Sequence, residues 1–150
     1  MREVAKAFPM IFEITSLNWL GIGAAVLVGQ LVSTFWFVGL FGKPWAEEYG
    51  VADAKEHTKA LPPYTYAAGL VCTISLAVSL AVLQGSMGVQ TTSSALVLAL
   101  FVSVGFCLST LLPGQAFLRR WRTAAIAGGS QVAMIVAMSC LLYTSDAADE

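Results

Sequence analysis

Four long apolar runs alternate with short polar segments along this chain: Leu17–Leu40, Tyr64–Leu83, Ala95–Leu112 and Thr123–Leu142 contain no Asp, Glu, Lys, Arg or His. In hydrocarbon, every backbone N–H and C=O must bond within its own segment, and a layer about 30 Å thick is crossed by roughly 20 helical residues. The pattern predicts an all-α polytopic membrane protein, with four transmembrane helices packed as a small bundle over residues 17–142. Residues 1–16 read as a retained amphipathic lead-in. Arg2 and Lys6 are interrupted there by Glu3, Pro9 and Glu13, and no small-residue cleavage pattern follows.

The polar segments predict the connections. Phe41 to Pro63 holds Lys43, Glu47, Glu48, Asp53, Lys55, Glu56, His57 and Lys59, with room for a short surface helix. Pro62-Pro63 suits the start of the second helix, because the first turn has no use for a proline N–H. Gln84 to Thr92 reads as an uncharged turn, with Thr91, Thr92, Ser93 or Ser94 able to cap the third helix, and Pro113-Gly114 predicts its stop after Leu112. Arg119, Arg120 and Arg122 crowd the last loop. Six Lys and Arg fall in the first and third loops, against two in the N-terminus and second loop. The positive-inside rule then places both termini outside and those two loops in the cytoplasm.

Every run carries small residues at a spacing of four, which gives each helix one smooth face: Gly21, Ala25, Gly29 and Ser33; Gly69, Thr73, Ala77 and Ala81; Ala95, Ala99, Ser103 and Cys107; and Ala125, Gly129, Ala133 and Ala137. Lipid tails are as apolar as leucine, so helices in a membrane associate by close approach, and these stripes predict a packed core or a homo-oligomer interface. Gln30 and Gln131 are the most polar groups well inside the runs. An amide there seeks a partner on another helix, so both are assigned to packing first. Trp19, Trp36 and Trp45 with Lys43 suit the water interface, as do Arg119, Arg120 and Arg122 beside Trp121, where basic groups attract anionic lipid.

At 57% hydrophobic and 11% charged, the chain of 150 residues has too little polar surface for a soluble domain, and its formal charge of −1 offers no field for nucleic acid. No catalytic, cofactor or metal set is expected. Glu13 lies outside the first apolar run, whereas a proton-coupling carboxylate belongs near the midplane, and His57 beside Glu56 has no second ligand at metal spacing. Cys72 and Cys107 read as packing residues. The last eleven residues, Cys140 to Glu150, look like the translation of a sequencing-library adaptor. On that reading residues 143–150 are an artefactual tail, and removing Asp146, Asp149 and Glu150 from nine acidic residues leaves six against eight basic.

The run Leu17-Asn18-Trp19-Leu20, then Phe35-Trp36-Phe37, then Phe41-Gly42-Lys43-Pro44-Trp45 resembles a bacterial membrane family known as domain of unknown function 1761, over roughly residues 17 to 139. Phe37 stands where that family commonly has tyrosine. The resemblance implies a four-helix integral protein of the bacterial inner membrane and carries no activity. The expectation is therefore a non-enzymatic protein with a structural, lipid-contacting or partner-binding role. A small oligomeric transporter or channel is the alternative, and it requires a polar lining that only Gln30, Gln131 and scattered hydroxyls could supply.

Overall fold

The chain was analysed as a computed structural model that describes residues 17–146; the lead-in and residues 147–150 lie outside the described residues. Asn18 starts the first helix: its side chain accepts the Gly21 N–H at 2.8 Å, satisfying one of the donors a helix start leaves unpaired. Helix α1 spans Trp19–Thr34 and runs on as a π-helical turn over Phe35–Leu40. Two short helices fill the polar loop, α2 (Gly42–Glu48) and α3 (Ala54–Ala60), the second capped by Asp53, which accepts the Lys55 N–H at 2.6 Å. Helix α4 (Pro63–Met87) opens on a proline and ends at Gly88, whose φ of +59° puts it in the left-handed conformation glycine adopts without strain. There the N–H groups of Gly88 and Val89 bond back to the carbonyls of Gly85 and Gln84.

The turn expected at Gln84–Thr92 is therefore confined to Gly88–Thr91, and Gln84 belongs to the helix. Thr91 caps the next helix reciprocally with Ser94: the Thr91 hydroxyl accepts the Ser94 N–H, and Ser94 Oγ accepts the Thr91 N–H, each at 3.1 Å. Helix α5 (Thr92–Val102) passes through a second π-helical turn (Ser103–Leu108) into α6 (Ser109–Phe117). Pro113 does not stop it, contrary to the expected end at Leu112. Hydroxyls supply bonds in the turns before the proline: Ser109 Oγ donates to the Val104 carbonyl at 2.8 Å, and Thr110 Oγ1 to that of Phe106 at 2.7 Å. Helix α7 (Trp121–Asp146) completes the described chain, and no strand occurs among the described residues. Four helical stretches are long and apolar enough to cross a membrane: Trp19–Leu40, Pro63–Met87, Thr92–Phe117 and Trp121–Ser145.

Helix α7 is the hub. Of its most apolar stretch 44% is buried, against 22% for each of the other three, because α1 and α5 pack on it from two sides while α4 rests mainly on α1. Leu80, Ile135, Met138 and Leu142 are fully enclosed, with Ile22, Ala25 and Ala99 around them. Helix α4 and the α5–α6 stretch barely touch. From Pro63 to Cys72, consequently, every residue of α4 is exposed.

The small-residue stripes meet different fates. Gly21, Ala25 and Gly29 are buried and Ser33 half-buried; a methyl group at Gly29 would lie 2.9 Å from Met138 Sδ and 3.1 Å from Thr73 Cγ2. Thr73, Ala77 and Ala81 face the core, but Gly69 stands in open space. Ala95, Ala99 and Ser103 are buried and Cys107 is half-buried. On α7 the stripe is not the core face. Ala125 is exposed and Gly129, Ala133 and Ala137 are half-buried, while Ala124, Ile126, Met134 and Met138 turn inward.

Candidate functional site

The two ends of the molecule differ in chemistry. One gathers both polar loops, since α1 runs into Phe41 and α7 leaves from Trp121 on the same side, and an ion pair joins them. Arg122 meets Glu47 at 3.2 Å and Glu48 at 3.8 Å, and the Thr123 hydroxyl donates to Glu48 at 3.1 Å. Arg122 is thus engaged by α2, where the sequence assigned it to lipid headgroups. Both Arg122 and Glu47 are about half exposed, so the pair is worth a few tenths of a kcal/mol and serves mainly to fix the register of the loops.

Trp36 and Trp45, expected as interfacial anchors, are half-buried locks between elements. The Trp36 indole donates to the Ile126 carbonyl of α7 at 2.9 Å and lies against Gly129, where a methyl group would come within 2.7 Å of its ring; Phe41 stacks on it at 4.9 Å. Only a glycine admits the indole at this crossing. Trp45 sits among Tyr49, His57 and Phe37 at centroid distances of 5.1, 5.8 and 6.3 Å, tying α2 and α3 to the end of α1. Tyr66 adds a bond from α4 to the Thr58 carbonyl. Trp19, Lys43, Arg119, Arg120 and Trp121 are exposed, and neither Arg119 nor Arg120 forms an ion pair among the described residues.

Towards the other end polar groups bond between helices, although the Gln84 Oε1 and Ser130 Oγ atoms are buried without a hydrogen-bond partner. Gln84, 3% exposed, donates to the Ser139 carbonyl at 2.8 Å and to its hydroxyl at 2.6 Å, and that hydroxyl donates to the Ala95 carbonyl at 3.1 Å, joining α4, α7 and α5. Gln84 carried no weight in the sequence because it fell just past an apolar run and was read as turn. Gln30 donates to Thr73 Oγ1 at 2.8 Å, linking α1 to α4, and Thr73 in turn donates to the Gly69 carbonyl. Gln131 is half-buried, and no bond joins it to Gln30.

Hollows lie beside these contacts among the described residues. One of about 410 Å³ lies between α2 and α3, where Lys43 and Lys55 are offset by Glu47 and Asp53. A second, of about 540 Å³, runs from the Gly88 turn along α5, with only Ser93 and Ser94 polar. A third, of about 630 Å³, is a groove between α6 and α7 at the charged end, walled by Leu108, Leu112 and the small face of α7, with Trp36 on its far side. Among the described residues no three His, Cys, Asp or Glu side chains converge as metal ligands would.

A family described as "Protein of unknown function (DUF1761)" matches residues 20–143, and the chain belongs to that family. No curated protein and no solved structure matches it.

Proposed function

We propose that this member of a family without an assigned activity is a multi-pass protein of the bacterial inner membrane whose role is structural and lipid-contacting rather than enzymatic. Both termini then lie outside, and the loops that carry α2, α3 and Arg119–Arg120 face the cytoplasm. The observation that carries this reading is the use made of the intramembrane polar groups. Gln30 and Gln84 are committed to bonds between helices, so the interior is locked rather than lined for passage. The cations of Arg119 and Arg120 are meanwhile left at the surface, where each basic group contributes about 1 kcal/mol of attraction to an anionic leaflet.

The test is thermal unfolding of the protein in nanodiscs of pure phosphatidylcholine and of phosphatidylcholine mixed with phosphatidylglycerol, beside solute and ion flux into proteoliposomes. Stabilisation by the anionic lipid with no flux above empty vesicles is expected. Flux that Gln30→Leu abolishes would replace this reading with the transporter.

A further inference from the structure

The groove between α6 and α7 lies between two helices that a short basic loop joins, and Leu112 and Ala124 line it at the loop's end. Its apolar wall on α7 runs from Ala124 to Val136, roughly 18 Å of helix at 1.5 Å per residue, close to the depth of one leaflet of a hydrocarbon core about 30 Å thick. At its charged end the same two helices are joined by Leu118, Arg119 and Arg120, flanked by the exposed Phe117 and Trp121. An apolar groove of that length, between helices joined by a loop with two exposed cations, complements an anionic lipid better than a polar solute.

The backbone of the loop supports the same assignment. The N–H groups of Arg119 and Arg120 bond to the carbonyls of Ala116 and Gln115, the pattern that also ends α4 at Gly88, but the left-handed residue is Arg119, with φ +57°. A side chain pays for that conformation where glycine does not. Position 119 thus keeps an exposed arginine in the loop between the groove's two helices where glycine would be unstrained.

We propose that this groove is a site for a single anionic phospholipid of the cytoplasmic leaflet, with an acyl chain along Ala125, Gly129 and Ala133 and its phosphate at Arg119 and Arg120. The proposal rests on the lipid-contacting reading above and adds a place and a stoichiometry to it. It also gives a use to the α7 stripe, which lies off the core face.

The experiment is native mass spectrometry of the detergent-purified chain titrated with phosphatidylglycerol or phosphatidylcholine, together with thermal unfolding of each variant. One tightly retained phosphatidylglycerol per chain is expected, bound at least tenfold more tightly than phosphatidylcholine. Arg119→Gly and Arg120→Gln should each weaken retention about fivefold. Arg119→Gly should do so with no loss of thermal stability, which separates a ligand contact from a folding defect. Ala125→Leu, which fills the groove from an exposed position, should abolish tight retention with both arginines intact, and Ala133→Leu should agree. Equal retention of the two lipids, or retention that survives Ala125→Leu, overturns the site. So does a dimer in the parent that Ala125→Leu dissolves, since the groove would then hold a second copy. If the site fails while phosphatidylglycerol still stabilises the protein in nanodiscs, the general reading stands without it; if neither effect is seen, both fall.

Discussion

The two ends of the molecule are built from the same four long helices yet use their polar groups in opposite ways. At the uncharged end Gln84, Ser139 and the Ala95 carbonyl close on one another, and three helices meet there. At the charged end the first ten residues of α4 are exposed on every side, α6 leaves Phe106 and Phe117 exposed, and cohesion comes from Trp36, Trp45 and Arg122. In hydrocarbon an amide without a partner is costly, so polar groups there are drawn into mutual bonds; near headgroups a cation finds partners outside the protein. The difference teaches that one end is held by hydrogen bonds between helices, whereas the other is held by aromatic packing and leaves Arg119 and Arg120 at the surface.

The comparison can be tested by substitution. Trp36→Ala, at the charged end, removes an indole that fills the α1–α7 crossing and bonds to Ile126, and should cost about 3 kcal/mol in unfolding measured in detergent. A cost near zero would show that the charged end contributes no cohesion of its own. At the opposite end Gln84→Ala should cost about 1–2 kcal/mol, less than burial alone suggests, because Ser139 keeps its bond to Ala95. The same change should leave anionic-lipid stabilisation in nanodiscs intact if the ends are functionally separate. Arg119→Gly should raise stability by about 1 kcal/mol, since glycine adopts φ +57° without the penalty arginine bears. Arg122→Gln should change stability by less than about 0.5 kcal/mol, and a double-mutant cycle with Glu47→Gln reads the pair itself.

Much of the fold was legible because hydrocarbon imposes a simple rule on sequence. Charge-free runs of helical length marked all four long helices, and the loop arginines and acids marked which connections share an end. The errors fall where a polar group takes its meaning from a neighbour that sequence does not display. Gln84 follows the apolar run that ends at Leu83 and so predicts turn, yet its amide N–H groups are taken up by Ser139, 55 positions away. Pro113-Gly114 predicts a stop from the proline's missing N–H alone, yet the helix continues through Pro113 to Phe117. Trp36 and Arg122 matched the interfacial pattern in composition, but their partners, the Ile126 carbonyl and Glu47, come from distant parts of the chain. The stripe on α7 has the same spacing as the stripes on α1 and α5; periodicity finds a smooth face but does not say whether it turns to the core or to lipid.

The most direct test is photolabelling in nanodiscs with a phosphatidylglycerol bearing a diazirine on its acyl chain, followed by peptide mapping of the crosslinks. The account predicts that labels concentrate on Leu108–Leu112 and Ala125–Ala133 at the charged end, and that Arg119→Gly with Arg120→Gln disperses them. Labels distributed with equal density over the exposed apolar residues of the uncharged end, Met87 and Val97, and unchanged by the double substitution would show that lipid covers this protein without preference and would contradict the division between its two ends.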